Sequence, residues 1–75
     1  MTSDPRCLNL VGDNIRRLRK RAGLTQEALA EIADLAPRTV QKIEAGDITI
    51  LITTLRRLRR ALGCTYESLL RENNT

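Results

Sequence analysis

From Asn9 onward, apolar residues return at helical spacing. Val11, Ile15, Leu18 and Ala22 lie four, three and four positions apart and form one stripe, which predicts a first helix with a single buried face. Gly23 is placed to close it, because glycine accepts the left-handed conformation in which helices commonly end. Thr25 is suited to cap a second helix, with Glu27 near the positive end of its dipole and Leu29, Ala30 and Ala33 continuing the stripe. The two alanines let a neighbouring helix approach closely.

A third helix is expected from Pro37 to Ala45. Proline is welcome at a first helical position and holds the residue before it, Ala36, extended. Val40 and Ile43 give this helix a narrow buried edge, Gly46 closes it, and Arg38, Thr39, Gln41 and Lys42 point outward. A fourth helix is predicted from Ile52 to Leu62, with Leu55, Leu58 and Leu62 inward and Gly63 at its end. Thr65 then caps a short fifth helix carrying Tyr66, Leu69 and Leu70, and Asn73 to Thr75 fray. Residues 1–8 show no periodicity and contain Pro5, so they are expected to be a flexible N-terminal tail, either a basic arm through Arg6 or simple disorder. Residues 9–72 remain as one all-α domain.

Composition narrows the chemistry. The 75 residues leave room for one small core, and with 41% apolar but 1% aromatic residues it must be packed by Leu, Ile, Val and Ala. Tyr66 is the single ring, which argues against recognition of unpaired nucleic acid by base stacking. Thirteen Lys and Arg against nine Asp and Glu give a net charge of +4, favouring a polyanionic partner. The basic residues cluster at Arg16 to Arg21 and Arg56 to Arg60.

An enzyme is not expected. The chain has no His, no glycine-rich phosphate loop and no carboxylate set at acid-base or metal spacing, so neither a cofactor nor a metal is implied. Cys64, beside Gly63, reads as a packing thiol, and Cys7 lacks a neighbouring base; two cysteines make no disulfide framework. No apolar run approaches the roughly 20 residues of a membrane span and no signal-peptide core is evident, so a cytoplasmic protein without membrane contact is expected.

Two short helices joined by about three residues, the second with a polar outer face, suit the major groove of duplex DNA, where side chains must exchange hydrogen bonds with base edges. The run Leu24-Thr25-Gln26-Glu27-Ala28-Leu29-Ala30, the later Val40-Gln41-Lys42-Ile43-Glu44-Ala45-Gly46, and Ala61-Leu62-Gly63 resemble the lambda-repressor and Cro-like helix-turn-helix family, also called the XRE family, over about residues 10 to 70. The resemblance implies a compact five-helix lambda-repressor-like domain with a central helix-turn-helix. It further implies a sequence-specific regulator of transcription that reads double-stranded DNA, acting as a repressor.

The same resemblance implies that Thr25 and Gln26 hold a phosphate at the start of the second helix, while Pro37, Arg38, Gln41 and Lys42 lie at or near base edges. Physical chemistry agrees, since a helix N-terminus offers free N–H groups to an anion. The Arg38 fork matches guanine O6 and N7, with a phosphate contact as the plainer alternative, and Gln41 suits adenine. Lys42 and Thr39 can meet either base or backbone; Pro37 can only touch a thymine methyl, or simply start its helix. Thr49 and Thr53 are candidates for backbone contacts, and Arg16 and Arg17 for the attracting field. Arg19 and Glu44 fall where the family often has an ion pair fixing the angle of the recognition helix.

Two positions depart from the family pattern. Asp34 stands where the turn usually has glycine, and Ala36 where a Ser or Thr cap is usual. The stretch Ile48 to Ile52 holds more large apolar residues than a loop requires, with Ile32 also off the main stripe. One short helix reads few base pairs, so a homodimer on a palindromic operator is expected, with an interface built from Ile48, Ile50, Leu51, Tyr66 and Leu70. The rival reading is a protein-interaction module, or an antitoxin whose main role is to bind a protein partner. A phage-type repressor, an operon-repressing antitoxin and a restriction-modification controller all need the same helix.

Overall fold

Helix α1 (Pro5–Arg21) starts earlier than the apolar stripe does, and the expected loose tail is corrected over residues 5–8. Proline has no N–H to leave unpaired at the first helical position, so Pro5 begins this helix rather than blocking it. The computed structural model describes residues 5–72; the remainder of the expected tail, residues 1–4, and the expected fraying at residues 73–75 lie outside them. After α1 come α2 (Gln26–Ala33), α3 (Pro37–Ala45), α4 (Ile52–Leu62) and α5 (Tyr66–Leu70), with no strand among the described residues.

Helix α1 packs on α3 and α5, and α2 packs on α3 and α4, so α3 is held from two sides. The core is aliphatic: Val11 and Ile15 of α1 meet Leu29, Ala30 and Ala33 of α2, Val40 and Ile43 of α3, Leu58 of α4 and Leu69 of α5. Leu18, Leu55 and Leu62 are half-buried against it. Ala22 differs from expectation: it follows the last residue of α1 and is exposed, because the chain is already turning toward Gly23.

One buried polar residue interrupts the apolar stripe. Asn14 is fully buried and donates through Nδ2 to the carbonyls of Leu69 and Arg71, both at 2.8 Å, while its Oδ1 accepts from Arg17 Nη2 at 2.9 Å. It thereby satisfies carbonyls at the end of α5 that the helix itself cannot pair. Arg59 lies 4.9 Å from the centroid of the Tyr66 ring, a cation–π contact that ties the start of α5 to α4.

The turn between α2 and α3 spans Asp34, Leu35 and Ala36. Asp34 is left-handed at φ 59° and ψ 49°, the role expected of glycine, and the Leu35 N–H donates to the Ala30 carbonyl at 2.8 Å. Ala36 caps α3 in extended conformation without a side-chain hydrogen bond, whereas Thr25 and Thr65 cap α2 and α5 through their hydroxyls. Ala36→Ser supplies the missing acceptor. It is expected to add about 1 kcal/mol and raise Tm by roughly 4–8 °C in thermal denaturation; a lower Tm would show that the hydroxyl does not reach the Arg38 or Thr39 N–H.

Candidate nucleic-acid interface

Helix α3 has two faces with different duties. Val40, Ile43 and Glu44 turn inward, Glu44 at only 5% exposure, while Pro37, Arg38, Gln41 and Lys42 are exposed and Thr39 is half-buried. Positions 38, 41, 42 and 45 recur at three, one and three residues, so a single open face follows from helical geometry. That face ends in one neutral amide and two cations, groups able to donate to base edges or phosphates.

The start of α2 supplies a second element. Thr25 Oγ1 accepts from the Ala28 N–H at 3.0 Å and the Thr25 carbonyl accepts from Leu29 at 3.0 Å. The N–H groups of Gln26 and Glu27 have no protein acceptor among the described residues. They stand at the positive end of the helix dipole, a ready position for an anion.

The expected pair of Arg19 and Glu44 forms, with Arg19 Nε donating to Glu44 Oε2 at 2.6 Å and Nη2 to Oε1 at 3.2 Å. A third donor was not expected from the sequence: Gln26 Nε2 reaches Glu44 Oε1 at 3.0 Å. Arg19 also donates from Nη1 to the Leu24 carbonyl at 2.8 Å, so one buried carboxylate joins α1, the start of α2 and α3. Gln26 spends one amide hydrogen on Glu44 and keeps the other for an outside acceptor.

Gly12 makes the second contact that sets the position of α3, and sequence reasoning missed it. The glycine is buried where α1 crosses the C-terminal end of α3, and a Cβ there would collide with the Ile43 carbonyl oxygen and sit 2.9 Å from that of Glu44. Its signal was a glycine inside an otherwise helical stripe, a costly choice unless a backbone must come close.

The remaining candidates are distributed unevenly. Thr49 and Thr53 are exposed at the loop and at the start of α4. Arg16 pairs with Asp13 at 2.9 Å and Arg17 with Asn14, so both are tied within α1. Ile48 and Ile50 are half-buried against the chain's own core, whereas Leu51 at 68% exposure, Ile52 at 75%, Tyr66 and Leu70 are open. Burial pushes the Cys64 thiol up against the opposing pull of Arg59, as suits a packing group; the side chains of Arg6 and Cys7 lie outside the described residues. Among the described residues no helix is long and apolar enough to cross a membrane and no metal-ligating cluster occurs.

Residues 15–69 match the helix-turn-helix family HTH_3. An HTH-type transcriptional regulator of Sinorhizobium fredii is 35% identical over 60 residues, covering 80% of this chain and 78% of that protein. Among solved structures, the restriction-modification controller protein C.AhdI from Aeromonas hydrophila is 31% identical, with a TM-score of 0.80 over 83% of this chain and 94% of the other. The hypothetical transcription factor NHTF from Neisseria is 26% identical, with a TM-score of 0.82 over 89% of this chain and 78% of its own.

Proposed function

The chain belongs to the HTH_3 helix-turn-helix family and is a DNA-binding protein of the transcription-regulator kind, and from that premise we propose that it represses transcription by seating α3 in the major groove of a palindromic operator as a homodimer. The observation that carries the reading is the division of α3 into a buried anchoring edge and an open face bearing Arg38, Gln41 and Lys42. Arg38 reads guanine, Gln41 reads adenine, and Lys42 and Thr39 meet base or phosphate. Pro37 starts the helix and lies near a thymine methyl. Thr25 and Gln26 hold a phosphate at the start of α2, with Gln26 oriented by Glu44, and Thr49 touches the backbone from the loop.

Size supports two copies. One protomer measures 27 × 23 × 18 Å, so a single α3 covers one half-site, and two half-sites about 34 Å apart need a second body. Leu51, Tyr66 and Leu70 supply the exposed apolar surface, with Ile48 and Ile50 contributing their open edges. Occupation of the groove excludes another protein from the same DNA, and repression is the regulation that needs no further contact.

Selection from random duplexes tests the whole reading. The expected product is a palindrome bound by two protomers, with log affinity falling linearly in log salt. Arg38→Ala is expected to cost about 1–3 kcal/mol on the selected site and to relax preference at one base position per half-site. No duplex affinity at low salt would transfer the function to a protein partner, and a single protomer on an asymmetric site would remove the homodimer.

A further inference from the structure

A groove between α2 and α4 takes no part in the interface above. It is a shallow space of about 300 Å³ lined by Ile32, Ala33, Asp34, Arg57, Arg60 and Ala61. Its chemistry is mixed in a particular way. Ile32 is 57% exposed although its helix neighbours Leu29 and Ala33 are buried, and Arg57 and Arg60, one helical turn apart, are both exposed. Arg57 Nη1 donates to the Asp34 carbonyl at 3.3 Å, which keeps its guanidinium at the groove, and the Arg60 side chain makes no hydrogen bond among the described residues. The lining residues carry two guanidinium groups and one carboxylate, that of Asp34, so the lining is net positive.

We propose that this groove binds a short acidic peptide segment of a partner protein, with one branched apolar side chain seated on Ile32 and flanking carboxylates held by Arg57 and Arg60. Charge complementarity argues for the carboxylates, since the arginine fork accepts them in paired geometry. The exposed isoleucine argues for a peptide over a nucleic acid: a phosphate backbone would satisfy the arginines but remove no apolar surface of Ile32 from water. The inference is independent of the DNA reading, because none of these residues belongs to the face assigned to the duplex.

The test is a titration of the intact, isotope-labelled protein with a synthetic peptide carrying one leucine among aspartates and glutamates, followed by amide chemical shifts. Shifts confined to the backbone around Ile32 and Arg57 to Ala61 are expected, with Arg60→Glu weakening binding about tenfold and Ile32→Ser by a similar factor. Both residues are exposed, and an unchanged Tm confirms that each variant is folded. Equal binding of the peptide with serine in place of leucine, or shifts spread over the arginines of α1, would overturn the proposal. So would an Arg60→Glu variant that loses duplex affinity while keeping the peptide, which would make Arg60 a flanking phosphate contact. If Ile32→Ser instead shifts the protein alone toward a smaller mass, the groove is a contact between copies and the proposal fails.

Discussion

Gly12→Ala is expected to destabilise the protein by about 3 kcal/mol, near the upper end of what overpacking usually costs, and to lower Tm by roughly 12–24 °C. Ordinary helix propensity points the other way. Alanine in place of glycine inside a helix adds about 1 kcal/mol when nothing else changes, so the sign of the result decides between local preference and packing. Packing wins here because the new methyl meets backbone, not a side chain that can rotate: the Ile43 and Glu44 carbonyl oxygens lie directly over Gly12, and relief requires α1 and α3 to separate. Separation would open the core where Val11 and Ile15 pack with Val40 and Ile43. Thermal denaturation followed by circular dichroism is sufficient to check it. A variant more stable than the wild type would show that the two helices part cheaply and that the close approach sets nothing.

Glu44→Ala should be the costliest single truncation, at about 3–5 kcal/mol and a fall in Tm of roughly 12–40 °C. The loss does not measure what the ion pair adds to folding, since two ions taken from water nearly cancel their mutual attraction. It measures what remains after one is removed. Arg19 is 9% exposed, and without Glu44 its guanidinium keeps, among the described residues, only the Leu24 carbonyl as a partner. The Gln26 amide loses its acceptor as well. Replacing both charges, with Arg19→Met and Glu44→Leu together, should recover much of the stability, because no uncompensated ion is then left inside. A double variant no more stable than Glu44→Ala would mean that the carboxylate acts through packing and not through charge. An unchanged Tm in Glu44→Ala would remove the ion pair from the account altogether.

The helices were legible where the chain marks their ends by chemistry that acts locally. Thr25, Pro37, Gly46, Gly63 and Thr65 each stand at a boundary for a reason that needs no tertiary contact, and the starts of α2, α3 and α5 and the ends of α3 and α4 follow from them. Pro5 was misread because the same residue that breaks a helix interior also starts one, and only the continuation of the chain decides which. Long-range polar contacts were the least legible. Asn14 and Leu69 are 55 positions apart, and nothing in a local pattern says that an amide inside an apolar stripe will find the end of another helix. Arg19 and Glu44 could be paired only through a family resemblance, and that resemblance gave Gln26 a phosphate and not a bond to Glu44. Ile48 and Ile50 illustrate a different limit: alternation in a loop shows that apolar residues are present, not that every second one turns toward the chain's own core.

The side chains that hold α3 in place and those it presents to the outside share no member. Val40, Ile43 and Glu44 do the first, and Arg38, Gln41 and Lys42 do the second. Mutational drift on the outer set therefore carries almost no folding penalty, and a descendant can acquire a new target by a few exchanges there while inheriting the same scaffold unchanged. The inner set has no such latitude.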